Sequence, residues 1–204
     1  MPYDLPPVTR NLLIANVAVF LLQMVMPSLE PLFALWPLGS GYFEPWQIVT
    51  NGFMHGGWTH ILFNMFALYM FGGQIERLFG ARNFTIYYFV CLITASVLQL
   101  VVLRYFLMDF ETPTVGASGA IFGLLLAFGM MYPREKLIVF PIPMAIPAWL
   151  FVTGYALLEL TSGVTGWMPG IAHFAHLGGM LGGFVLIQYW RGKFPIKPQR
   201  RLLR

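Results

Sequence analysis

Ser118, within Gly116-Ala117-Ser118-Gly119, opens an apolar run from Ala120 to Met131. A serine hydroxyl becomes a nucleophile when an imidazole takes its proton. His173 and His176 stand in a second apolar run, Ala172-His173-Phe174-Ala175-His176-Leu177-Gly178-Gly179-Met180-Leu181-Gly182-Gly183. Its small residues bear on whether the two can meet. Ala175, Gly179 and Gly183 form a small-xxx-small ridge, as do Gly178 and Gly182, and Gly119 with Gly123 offers a matching ridge beside the serine. Such ridges let helices approach closely, and packing them together brings His176 beside Ser118. An imidazole in an apolar span is costly and usually functional. The pattern therefore predicts Ser118 as nucleophile and His176 as its general base. His173, one turn shallower, is read either as a gating or oxyanion-supporting group or as simple packing.

Further polar groups sit at comparable depth. His60 and Asn64, four residues apart in Trp58-Thr59-His60-Ile61-Leu62-Phe63-Asn64, share one helix face. They are either an interhelical hydrogen-bonding pair or, beside Ser118, donors to a developing anion. His55 is shallower and is assigned a structural or loop-positioning role. Glu159 is the one acid in its apolar run and could orient a histidine as the third member of a triad. It falls near the expected outer end of that run, so a serine-histidine dyad is the leaner expectation. Glu76 with Arg77 reads as an ion pair or loop cap. Gly116 leaves room around the backbone N–H groups and an incoming substrate.

The elements that must position these groups follow from composition. The 204 residues are 58% hydrophobic and only 10% charged, with a mean hydropathy of +0.70. Roughly a quarter of a soluble domain is charged, so the expectation is an all-α, polytopic membrane protein. Six apolar segments, at approximately 11–26, 58–71, 83–103, 117–132, 146–160 and 171–190, predict a bundle of six transmembrane helices in a single domain. With the N-terminus inside, Arg10, Arg77, Arg82, Arg134, Lys136, Arg191, Lys193, Lys197, Arg200, Arg201 and Arg204 fall on the inner side and only Arg104 on the outer. That asymmetry sets both termini in the cytoplasm. It also reads the +4 charge as an orientation signal rather than a nucleic-acid surface. The single cysteine, Cys91, excludes an intramolecular disulfide and a cysteine-rich metal site.

The fourth segment is short: sixteen residues, about 24 Å at 1.5 Å per residue, against about 30 Å of hydrocarbon. Its N-terminus is expected below the outer surface. Thr112 to Gly116, non-helical, would then lie at membrane depth, which is tolerated where protein shields the backbone or a wet cavity is lined. The long outer loop, Pro27 to Gly57, holds Leu32-Phe33-Ala34-Leu35-Trp36 and Trp46 but no basic residue, and is expected to lie in the interface.

Three motifs together, His60-Ile-Leu-Phe-Asn64, Gly116-Ala-Ser118-Gly119 and Ala175-His176-Leu-Gly-Gly179, resemble those of bacterial rhomboid intramembrane serine proteases. The likeness runs from Trp46 through Gly183, in the minimal six-span form. It implies a Ser118–His176 dyad, with His60, Asn64 and the Ser118 N–H binding the oxyanion. Phe122, one turn after the serine, stands where the family often has Tyr and would stack on His176. Trp46 is followed by Gln47, where a Trp-Arg pair is common. The resemblance further implies transmembrane substrates, a bacterial inner membrane, an active site open to the outer side, and no cofactor or metal. The alternative is an inactive rhomboid-like protein that binds membrane helices. A small transporter would need charges along a through-path or an inverted repeat, and the sequence has neither.

Overall fold

The computed structural model describes residues 4–138, 144–196 and 198. Long apolar runs satisfy their backbone groups internally by forming helices, and the described residues are mostly helical. Helix α1 spans Pro7–Val25. Within the long loop that follows are the short helices α2 (Leu29–Phe33) and α3 (Gln47–Thr50) and a 3-10 turn at Asn51–Phe53. α4 (Trp58–Ala67) continues through a π turn (Leu68–Gly72) into α5 (Gly73–Phe79). α6 (Ala81–Val102) likewise runs into a π turn, Leu103–Leu107. α7 spans Ser118–Met131, α8 Ala148–Thr165 and α9 His173–Trp190. A two-stranded antiparallel ribbon, β1 (Lys136–Ile138) with β2 (Ala145–Pro147), joins α7 to α8.

α1 and Ala81–Leu107 are long and apolar enough to cross a membrane by length and composition. α7 is the short one, at 14 residues, and ten of them are buried. A helix that is apolar all round belongs in the middle, and α7 is walled by α6, α8 and α9. Glycine makes the close approach possible. A Cβ on Gly179 would run into the carbonyl of Gly119, one on Gly119 into Ala95, and one on Gly123 into Cys91. The ridges of α7 and α9 therefore meet with α6 in the same seam, and Gly178 and Gly182 lie against Thr94 and Ala95 of α6.

Several boundaries differ from the apolar pattern, each for a physical reason. The second helical rod continues past 71 to Phe79 because Gln74, Glu76 and Arg77 find partners inside the protein. Glu76 does not pair with Arg77. Its carboxylate accepts from Val8 N (2.9 Å), Thr9 N (2.7 Å) and Thr9 Oγ1 (2.7 Å), so it caps the N-terminus of α1, where backbone donors and the helix dipole favour an anion. Arg77 instead donates to the carbonyls of Asp4 and Gly73.

α8 runs past 160 to Thr165. Thr161 donates to Leu157 O and Thr165 to Thr161 O, which hides two hydroxyls along the helix's own backbone. At the end of the bundle carrying Arg77 and Arg191, Phe79, Tyr87 and Trp190 pack edge-on, with centroids 5.4 Å apart for Phe79–Tyr87 and for Phe79–Trp190. Lys197, Arg200, Arg201 and Arg204, counted above on the inner side, lie outside the described residues.

Candidate active site

The segment before α7 is extended, and its backbone groups need partners. They come from the long loop. Leu35 and Thr114 exchange N–H···O bonds of 2.9 Å in an isolated antiparallel bridge, and Gly116 N donates to Asn51 O at 2.9 Å. Asn51 is held by its own amide, which donates to Gln47 O and to Ser96 Oγ of α6.

Gln47, standing where an arginine is common, is fully buried. Its Oε1 accepts from Trp36 N and Glu44 N, and its Nε2 donates to Tyr42 O and Leu32 O. A neutral amide, with two donors and an acceptor oxygen, thus anchors the loop that anchors Gly116.

Gly116 has φ +127°, a conformation L side chains rarely adopt. A Cβ there would lie 2.7 Å from His60 Nε2 and 3.6 Å from Asn64 Nδ2, so these two side chains close directly over its backbone. His60 Nδ1 accepts from Gly56 N at 3.3 Å, which leaves Nε2 free to carry the ring's proton. Asn64 Nδ2 is buried and has no partner among the described residues. Ser118 follows as the first residue of α7, half-buried, with its N–H among the free donors of a helix N-terminus.

On the facing helix, His176 Nε2 lies 2.8 Å from Ser118 Oγ. Phe122, one turn into α7, stacks on the imidazole with centroids 4.1 Å apart and planes 7° from parallel. Tyr155 of α8 backs Phe122 at 4.9 Å. The other ring nitrogen, His176 Nδ1, lies 2.9 Å from Glu159 Oε2, and His173 Nδ1 lies 2.7 Å from the same oxygen. His173 also places Nε2 3.2 Å from Met168 O. All three side chains are buried.

The structure thus brings Ser118, His176, Phe122, His173 and Glu159 into one contact chain and sets Gly116, His60 and Asn64 together beside the serine. His55, in the loop before α4, packs edge to face on His60 with ring centroids 5.2 Å apart but does not touch the serine. Both its ring nitrogens lack partners among the described residues, and its backbone is tied to the Gln23 amide of α1. Burial, with His60 nearby, lowers its pKa to about 4.

Glu159 is where the sequence-based expectation of a bare dyad meets a fuller arrangement. With α8 ending at Thr165 rather than 160, the glutamate sits six residues inside its helix, level with His176. Glu159, His173 and His176 also offer ligand atoms within 4.8 Å of one another, a donor set that suits zinc. Here those atoms point at each other in hydrogen bonds. Asn51 and Leu35 have no recognisable signal in the sequence, because they act through backbone carbonyl and N–H groups.

A cavity of about 10 Å³ lies behind the serine, lined by Asn51, Ser96, Thr114, Gly116 and Ser118 among others. Its lining mixes polar groups with apolar ones such as Leu35, Leu92 and Ala95, and it is about the size of one water. A larger groove, about 670 Å³, runs over Gly178 and Gly182 between α6 and α9, is almost wholly apolar, and carries none of the groups above.

Comparison with known proteins adds an independent line. A family profile described as Rhomboid domain matches residues 42–192. The chain is 30% identical over 156 residues to Rhomboid protein 1, mitochondrial, of Saccharomyces cerevisiae, covering 76% of this chain and 45% of that protein. It is 32% identical over 153 residues to Putative rhomboid protease YdcA of Bacillus subtilis, covering 73% and 69%. To Rhomboid protease GluP of the same bacterium it is 31% identical over 147 residues, covering 69% and 25%. The match thus spans less than half of the yeast protein and of GluP. Mitochondrial, plant and bacterial proteins all occur among the relatives, so the likeness does not by itself select a compartment.

Proposed function

This chain belongs to the rhomboid family of membrane proteins, generally intramembrane serine proteases, and we propose that it is an intramembrane endopeptidase acting through Ser118 and His176. The observation that carries the reading is the 2.8 Å contact between His176 Nε2 and Ser118 Oγ, with the ring held by stacking on Phe122. Ser118 Oγ attacks the scissile carbonyl while His176 Nε2 takes its proton. The proton then passes to the leaving amine, the C–N bond breaks, and an acyl ester on Ser118 remains. Water, activated by the same imidazole, hydrolyses the ester and restores the hydroxyl.

The tetrahedral oxyanion needs donors aimed where its charge develops. His60 Nε2, the unpartnered Asn64 Nδ2 and the Ser118 N–H are suited to that role, each such donor typically worth about 3 kcal/mol. Gly116 keeps the oxygen's position open, since any side chain there would occupy the space in front of His60. No step requires a cofactor.

In this reading six helical rods cross the bilayer with both termini on the cytoplasmic side. The positive-inside asymmetry supports that orientation, and it leaves the site opening outward through the shortness of α7. Substrates are transmembrane segments of other proteins.

The test is cleavage of a model single-span substrate by purified protein in liposomes, comparing wild type with Ser118→Ala and His176→Ala. Both variants are expected to fall at least about 10³-fold in rate while remaining folded. Undiminished cleavage by either would exclude the dyad, and a folded wild type inert towards every transmembrane substrate tried would favour the helix-binding alternative.

A further inference from the structure

The proton inventory around Glu159 is constrained by groups that can only accept. Met168 O is a carbonyl, so His173 Nε2, 3.2 Å away, must be an N–H. Met168 itself has φ +60°, a left-handed conformation rare outside glycine, and that backbone turn presents the carbonyl to the imidazole. Strain of this kind, about 1–3 kcal/mol, persists where the surroundings over-determine it and clusters at functional sites. Gly163 of α8 packs its α-carbon so close to His173 that a Cβ would lie 3.2 Å from the histidine's own, so the start of α9 lies directly against α8.

With Nε2 protonated, His173 Nδ1 and Glu159 Oε2 share one further proton across 2.7 Å. Written as imidazolium and carboxylate, or as imidazole and carboxylic acid, the pair is neutral. His176 Nδ1 faces the same oxygen at 2.9 Å. Were that oxygen protonated towards His176, His173 would be left as an imidazolium with no counter-charge. Burying an unpaired ion costs several kcal/mol. The alternative satisfies every group: His176 Nδ1–H donates to Oε2, and Nε2 keeps its lone pair for the Ser118 hydroxyl.

We propose that Glu159 and His173 form a neutral, proton-sharing pair that positions His176 and holds it in the Nδ1–H tautomer. The inference rests on the reading of Ser118 and His176 as nucleophile and base. When His176 takes the serine proton, the Glu159 carboxylate faces the new imidazolium, and the oxyanion forming beside His60 and Asn64 balances the remaining positive charge. Net charge in the buried site stays at zero through the step. Glu159 touches no substrate atom and acts through His176, as does His173 through Glu159.

Two measurements on the full-length protein test this. Nitrogen-15 histidine spectra of the wild type in micelles near neutral pH, assigned by single His→Gln variants of the four histidines, are expected to show His176 protonated only at Nδ1 and His173 protonated at both nitrogens or sharing one proton with Glu159. An Nε2–H tautomer for His176 overturns the proposal, whatever the variants do. In liposome kinetics, Glu159→Gln keeps an acceptor but loses the negative charge. Its kcat is expected to fall at least about 10²-fold with KM within about twofold, and Glu159→Asp to recover part of the loss. Wild-type kcat in Glu159→Gln removes the proposal while leaving the dyad standing. Cleavage surviving in Ser118→Ala removes the dyad itself, so the two failures are distinguishable.

Discussion

Glu76 and Glu159 are both nearly sealed from solvent, at 2% and 4% exposure, yet they sit in opposite kinds of surroundings. Glu76 accepts from two backbone N–H groups and a threonine hydroxyl at the start of α1. None of those donors changes protonation at any ordinary pH, so the carboxylate fixes the approach of α1 to α5 once and for all. Glu159 is met by two imidazoles, the side chains whose protonation does change near neutral pH. The same buried charge thus secures structure at one end of the bundle and proton position at the other, and its partners decide which.

The largest effect that could break this contrast is on stability. Glu76→Ala leaves three donors at the α1 N-terminus without their acceptor and is expected to cost about 3 kcal/mol or more. Turnover per folded molecule should be unchanged, by thermal melting alongside the cleavage assay. Glu159→Gln should do the reverse, and a Glu76 variant that folds normally but turns over slowly would erase the distinction.

Next in size is Gly116→Ala. The left-handed φ costs about 1–3 kcal/mol in a residue with a side chain, and the methyl would press on His60 Nε2. The expected result is a modest loss of stability with a larger loss of kcat, because the methyl fills the space beside His60 and Asn64 proposed above for the oxyanion.

The smallest effect concerns His55, outside the catalytic groups. Its folded pKa, about 4, lies below the ordinary histidine value of 6.5, so between those two values the unfolded chain binds the proton more tightly. The stability contributed by neutral His55 is therefore complete above about 6.5 and is lost as pH falls towards about 4. His55→Leu should flatten thermal stability across that window. An unchanged slope would place the pH dependence elsewhere.

The approach of Ser118 to His176 is legible in the chain because its cause is periodic: Gly119, Gly123, Ala175, Gly179 and Gly183 fall at helical spacing, and small residues at that spacing have few other uses between apolar helices. Phe122 stacks where the resemblance expects it. The depth of Glu159 is harder to read. Thr161, Ser162 and Gly163 look like the end of a span, but the threonine hydroxyls return to their own helix and let it run on. Gln47 resists reading for another reason. Its type suggests weak anchoring, and only the positions of four backbone groups reveal how many bonds one amide makes.

Composition and spacing by themselves determined a helical membrane protein, the shortness of the helix behind the serine, and the small-residue ridges that draw α7 and α9 together. Those properties depend on local periodicity and apolar content, which any stretch of chain carries with it. The tertiary structure alone decided which carbonyl holds Gly116, which carboxylate reaches His176, and which helix end Glu76 caps. Each of these is a contact between groups 17 to 68 residues apart. Their distances depend on how whole helices are placed, so no residue's identity could announce its partner.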